Sequence, residues 1–259
     1  MRASLVIATY NWTEALALTL ESAARQTVAP SEVLVADDGS RPDTGELIER
    51  LRAGYPVPLI HVRQEDRGFR LARIRNLAVA RASGDYLIQI DGDLLLHRRF
   101  VADQTGAARR GHFVRCSRAF LSPAQTAAVL AGGPAPAWWA GGLGKRWAAL
   151  RLPLLSRLLL DRELDRLDGH YLSYWREDAL RVNGYEERFE GWGREDDELA
   201  ARLMNAGLRK RRLRFAAVNR HLYHQATPRP GLEGNERILL ETLRDRRVRA
   251  EVGLDQHLI

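Results

Sequence analysis

Two carboxylates one residue apart, Asp91-Gly92-Asp93, form a hard oxygen pair, and the glycine between them lets both turn toward one cation. Such a pair suits Mn²⁺ or Mg²⁺, and either ion can bridge phosphate oxygens in turn. A solvated turn is the competing reading, but the apolar run at 86–90 directly before the pair favours a site at a strand end. Two carboxylates do not complete a coordination shell. His221 and His224 are the candidates for a further ligand, although an isolated histidine is more often structural.

A second acidic cluster, Glu195-Asp196-Asp197-Glu198, follows Gly191-Trp192-Gly193-Arg194. Acids favour the first turn of a helix, where they complement its dipole, which explains one or two of the four. It does not explain the glycine-flanked tryptophan. Glycines let the backbone turn sharply close to a ligand, and Trp192 offers a flat apolar face on which a sugar can stack. A carboxylate just beyond that platform is placed to take a proton from an acceptor hydroxyl. A third cluster, Asp37-Asp38-Gly39-Ser40, reads either as a tight turn or as a strand-end carboxylate for a base or ribose. Arg70, Arg73 and Asn76 fall near one helix face, which is either a solvated basic face or a diphosphate contact.

The elements that must hold these groups are clearest in the first hundred residues. Strand-like runs at 5–9, 33–36, 59–62 and 86–90 alternate with helical segments at 14–26, around Leu47, Ile48 and Leu51, and at 71–82. That alternation predicts βαβ units, a mainly parallel sheet, and one rim carrying the loops that follow the strands. The second half is less regular. Residues 122–139, rich in proline and glycine, read as a loop or lid, and 145–167 as a basic, Leu-rich helical stretch interrupted by Pro153. A strand is expected at 171–175, a helix at 195–206 ending on Gly207, a last strand at 212–218, and a helix at 233–249.

With 259 residues the chain can bury one substantial core. Its net charge of +7 and pI near 10.0 suggest anionic partners, yet the basic residues are nearly all Arg, which a GC-rich genome would also produce. Cys116 is the only cysteine, so no intramolecular disulfide can form, which fits a reducing compartment. No secretory leader and no apolar run of spanning length is visible, so a cytoplasmic protein is expected. Residues 145–160 fit peripheral contact with the inner face of the cell membrane as well as a helix pair packed on the core.

In combination, Thr9-Tyr10-Asn11, Asp37-Asp38-Gly39-Ser40, the Arg/Asn helix and Asp91-Gly92-Asp93 resemble the bacterial family 2 glycosyltransferases of GT-A fold. The segment from Gly191 to Glu198 is similar to the Gly-Trp-Gly-x-Glu-Asp signature of β-1,4-galactosyltransferases and chondroitin-polymerase-like enzymes. The resemblance covers roughly residues 3–225 and implies a Rossmann-like, mainly parallel sheet flanked by helices, with a smaller acceptor-side half. It implies one domain over 1–225, with 1–100 for the nucleotide sugar and 101–225 for acceptor and catalysis, followed by a helical tail at 226–259. Asp38 would bind uracil or ribose, with Ala8, Tyr10 and Asn11 lining the pocket. Asp91 and Asp93 would be the metal pair, Asp93 the direct ligand, with His224 completing the site and His221 a weaker choice. Asp196 would be the general base, and Glu195 would hold a sugar.

The expected activity is inverting, metal-dependent transfer from a UDP-sugar, with galactose or an N-acetylhexosamine favoured. The expected acceptor is a glycan or lipid-linked glycan, in polysaccharide or lipopolysaccharide synthesis. A nucleotidyltransferase acting on sugar phosphates would use a similar sheet and metal pair but has no role for the Gly-Trp-Gly segment. A basic nucleic-acid-binding protein would explain the charge, but no helix-turn-helix, zinc-finger or RNA-binding signature is present, so nucleic acid is not an expected partner.

Overall fold

The computed structural model describes residues 1–160, 170–225 and 231–258. The first half alternates as expected: β1 (Ala3–Thr9), α1 (Thr13–Ala24), β2 (Glu32–Asp37), α2 (Pro42–Arg52), β3 (Leu59–Arg63), α3 (Leu71–Arg81) and β4 (Tyr86–Asp91). Then follow β5 (Leu94–Leu96), α4 (Phe100–Ala107), β6 (His112–Cys116), β7 (Ala119–Phe120), α5 (Pro123–Leu130) and α6 (Pro153–Leu159). The remainder is β8 (His170–Trp175), α7 (Arg176–Val182), α8 (Glu195–Asn205), β9 (Arg209–Leu213), β10 (Asn219–His221) and α9 (Leu232–Arg244). Short 3₁₀ turns lie at Arg146–Ala149 and Leu254–His257.

Seven strands form the main sheet in the order β3-β2-β1-β4-β8-β6-β9. β1 pairs in parallel with both β2 and β4, whereas β8 runs antiparallel to β4 and β6. The chain leaves β1 toward β2 on one side and returns to β4 on the other. The carboxyl ends of β1 and β4 therefore flank the point where the connections diverge, the usual ligand crevice of such sheets. Every residue of β1 and β2 is buried, as two-sided burial requires. Leu5 and Ile7 join the core on one face, and Val6 and Ala8 the core on the other.

Several elements differ from the sequence reading. Within 122–139, α5 forms because Ser122 caps it reciprocally with Gln125 and Pro123 occupies its first turn, a local signal that outweighs the surrounding prolines and glycines. The stretch 145–160 is a 3₁₀ turn and α6 rather than one helix, while 161–167 lies outside the described residues. The strand expected at 212–218 ends at Leu213, because Phe215 and Ala217 take positive φ. α9 ends at Arg244, shortly before Arg246 at positive φ. Residues 232–258 pack onto the domain, α9 against α8 and the last 3₁₀ turn against α3. Among the described residues no helix is long and apolar enough to cross a membrane.

Candidate active site

Asp91 is the last residue of β4, and Gly92 brings the chain hard against β1, donating its N–H to Ala8 O at 2.7 Å. A Cβ at position 92 would sit 2.9 Å from that oxygen, so only glycine allows the approach. The chain then enters β5, against which β10 runs antiparallel with His221 opposite Leu94. Leu222 N donates to Asp93 O at 2.9 Å, locking the two segments together. This pairing carries both histidines to Asp93. Its Oδ2 lies 3.1 Å from His221 Nε2 and 3.6 Å from His224 Nε2. His224 Nδ1 sits 2.9 Å from Gln225 O, which fixes the ring with Nε2 toward Asp93.

One oxygen and two imidazole nitrogens, all within 4.8 Å of one another, could hold a divalent cation. Asp93 Oδ1 fits that role too, being buried without a hydrogen-bond partner among the described residues, which is costly unless a cation or donor compensates. Asp91, expected as a second ligand, stands outside this group because two arginines hold it. Arg75 Nη2 donates to its Oδ1 at 3.1 Å and Arg118 Nη1 to its Oδ2 at 3.2 Å.

Across the cleft, Gly191, Gly193 and Arg194 all take positive φ and swing the chain into the first turn of α8. The four acids there divide. Glu198 turns into the core and forms a double ion pair with Arg202 at 2.7 Å. Asp197 meets Arg115 at 3.0 Å and Arg194 at 3.3 Å. Asp196 Oδ1 accepts from Arg75 Nη1 at 2.8 Å and lies 2.9 Å from Tyr185 Oη. Glu195 Oε1 lies 3.3 Å from the same Arg75 nitrogen. Asp196 Oδ2 has no hydrogen bond from the described residues.

Arg75, with only 4% of its side chain exposed, thus joins Asp91 to Glu195 and Asp196, and its guanidinium sits 5.3 Å from the Tyr185 ring centre. Burial alone would lower its pKa, but the surrounding Asp196, Tyr185, Asp91 and Glu195 raise it well above the usual value. Glu195 shows the counterpart. Burial first, and the Asp196 charge second, push its carboxyl up to about 7, against the pull of Arg75. Folding then takes up a proton between its usual 4.5 and about 7, so this group's stabilising contribution is lost as pH rises through that window. In metal-free buffer, the melting temperature of Glu195→Gln relative to wild type is expected to be higher at pH 8 than at pH 5. An unchanged difference between the two pH values would remove the assignment.

The acids face one cleft of about 1260 Å³. Ala8, Tyr10, Asp38, Asp91, Gly92 and Trp192 line it, together with Asp93, His224, Glu195 and Asp196. Asp38 is held by Gln64 Nε2 and by the Arg70 backbone N–H at 2.9 Å. Burial raises its pKa despite those bonds. Four expected donor contacts lie off the cleft wall. Asn11 Oδ1 accepts from Arg41 N at 2.9 Å, the Arg70 guanidinium donates to Glu65 O at 2.6 Å, and Arg73 donates to Gln64 Oε1 at 2.7 Å. Asn76 is fully buried and cross-braces Tyr185 through both its N–H and C=O, at 2.7 and 2.8 Å. On this helix it is Arg75 that reaches the acids of the cleft. It shares the stripe of Ala72 and Val79, and a cation in an apolar stripe signals a buried charge partner. Arg118, which also reaches Tyr171 Oη at 2.9 Å, carries no comparable local signal.

Residues 4–129 match the family model for glycosyl transferase family 2, and residues 157–225 match that for the N-terminal domain of galactosyltransferase. The chain is 33% identical over 226 residues to validoxylamine A glucosyltransferase of Streptomyces hygroscopicus subsp. limoneus, a match covering 79% of this chain and 48% of that protein. The chain thus spans about half the length of that relative. Among solved structures, S. aureus TarS 1-349 in complex with UDP-GlcNAc aligns with a TM-score of 0.65 at 16% identity, over 99% of this chain and 69% of that one. GalNAc-T7 with UDP, GalNAc and Mn²⁺ aligns with a TM-score of 0.68 at 17% identity, over 95% and 49%. The order of the strands, the acids at their carboxyl ends and both sequence matches agree: the chain belongs to glycosyltransferase family 2 and has the GT-A fold.

Proposed function

We propose that this chain is a metal-dependent, inverting glycosyltransferase that moves a sugar from a UDP-sugar to a hydroxyl of a glycan or lipid-linked glycan, in cell-surface polysaccharide or lipopolysaccharide synthesis at the cytoplasmic side. The carrying observation is that the buried Arg75 joins Asp91, two residues from the Asp93, His221 and His224 group, to Asp196 at the far wall of the same cleft. Two imidazoles beside one carboxylate favour Mn²⁺ over Mg²⁺, which prefers oxygen alone. When bound, the ion offsets charge on the departing diphosphate.

The residues of the chain would do the rest. Arg75 and Tyr185 occupy Asp196 Oδ1 and leave Oδ2 for the acceptor. The acceptor proton passes to Oδ2, the acceptor oxygen bonds to the anomeric carbon, and the bond from that carbon to the diphosphate oxygen breaks with its electron pair leaving on UDP. Attack from the face opposite the leaving group inverts the centre. Trp192 at the rim supports stacking of a sugar ring. The family assignment leaves the nucleotidyltransferase and nucleic-acid readings without support.

The test is a donor-hydrolysis screen of UDP-glucose, UDP-galactose, UDP-N-acetylglucosamine and UDP-N-acetylgalactosamine, in Mn²⁺ and in EDTA. At least one donor is expected to release UDP faster with Mn²⁺. Equal hydrolysis in EDTA would discard the metal dependence, and no hydrolysis of any donor would discard the UDP-sugar reading.

A further inference from the structure

The solvent side of α6 inverts the usual surface pattern, in which a helix turns its polar residues outward. Leu154 and Leu158, one turn apart, are 76% and 77% exposed, and Leu152 and Leu155 beside them are also exposed. The small polar Ser156 and then Leu160 face inward instead. Trp147, in the preceding 3₁₀ turn, extends this face. It packs edge-on against Phe215 at 6.1 Å, and Phe215 O accepts from Leu152 N at 2.8 Å.

Cations border the leucines. Lys145, Arg146 and Arg157 are exposed, and neither Arg146 nor Arg157 meets an acid among the described residues. No Asp or Glu occurs anywhere in residues 104–160. An apolar face with a cationic rim, no acid among residues 104–160 and a tryptophan at its margin complements the anionic headgroup layer of a bilayer. A second copy fits poorly, since pairing would set like charges against one another on a chain of net charge +7. The face also adjoins the cleft, because Lys145 and Trp147 line it, and so does Arg212, whose N–H donates to Leu160 O at 3.3 Å.

We infer that α6 and the 3₁₀ turn before it dock on an anionic bilayer surface and present the mouth of the cleft to the membrane. Resting on the glycosyltransferase reading, the acceptor is then a lipid-linked sugar delivered from that surface. Flotation of the chain with phosphatidylcholine vesicles, with and without phosphatidylglycerol, tests the docking directly. The wild-type chain is expected to float with the anionic vesicles, less with neutral ones, and less again in high salt. The doubly substituted Leu154→Glu/Leu158→Glu chain is expected to lose at least about tenfold of the bound fraction. Its elution volume and Mn²⁺-dependent donor hydrolysis should match wild type, since both positions lie outside the cleft. Failure of the wild type to float, or equal flotation of the variant, would overturn the inference. So would a wild-type dimer that the variant converts to a monomer without any flotation, because the face then covers a second copy. Flotation needs no turnover, so it stands or falls separately from the proposed reaction.

Discussion

Replacing Asp196 by Asn is expected to lower the rate of sugar transfer by about 10²–10⁴-fold, the usual range for removing general-base assistance. The substitution keeps size and planarity. Its amide oxygen can still accept from Arg75 Nη1 and face Tyr185 Oη, so the first turn of α8 should keep its position. The change falls on the other arm, where an NH₂ group replaces Oδ2 and cannot take a proton. Arg75 retains Asp91 and Glu195 as charge partners, which protects the fold from an uncompensated buried cation. The expected signature is therefore a fall in kcat with UDP affinity and melting temperature little changed. Near-wild-type turnover would move the base elsewhere, and Glu195 would be the candidate, because a carboxyl raised to about 7 lies in the range suited to proton transfer at neutral pH. Measuring Glu195→Gln beside Asp196→Asn separates the two.

How much of this was legible in the sequence depended on the range of the contacts involved. β1, β2 and β4 could be read because strands buried on both faces are near-continuous apolar runs, and the acids that end β2 and β4 mark the crevice rim. The first turn of α8 could be read because its acids and glycines are adjacent in the chain. What could not be read was convergence. Asp93 meets His221 only because two three-residue strands, β5 and β10, pair across more than a hundred residues, and strands so short leave no periodic trace. Arg75 is the sharper lesson. Arg70, Arg73 and Asn76 look in sequence like a helix face offered to ligand, whereas Arg75 and Asn76 face inward and only Arg75 reaches Asp91, Glu195 and Asp196. The spacing of Asp91, its strand-end position and the family resemblance all point to a metal ligand, whereas its two arginine partners come from α3 and from the β6–β7 connection. Composition was ambiguous in the same way at 145–160, where only exposure separates a packed helix from one whose leucines face outward.

Replacing Asp93 by Asn is expected to weaken Mn²⁺ binding by at least about 100-fold, since even partners one step removed from an ion cost 10–100-fold when lost. The reasoning starts from the two oxygens. Oδ2 faces both imidazoles, and Oδ1 is buried with no donor among the described residues, so that side of the carboxylate lacks a compensating hydrogen bond. Asn has a similar shape but no charge, and its NH₂ would point at a nitrogen ligand or into the position a cation would take. His221 and His224 would remain as two neutral donors, too few to hold Mn²⁺ against water. Calorimetric titration with Mn²⁺ in the absence of any donor sugar reads this directly and does not depend on turnover. Asp91→Asn is the informative companion, because Asp91 is bound by Arg75 and Arg118 rather than standing in the ligand group. Its Mn²⁺ affinity is expected to fall by less than about tenfold, a lost neighbouring charge rather than a lost ligand. Equal losses in the two variants would make Asp91 a direct ligand and require Arg75 and Arg118 to release it when the ion binds.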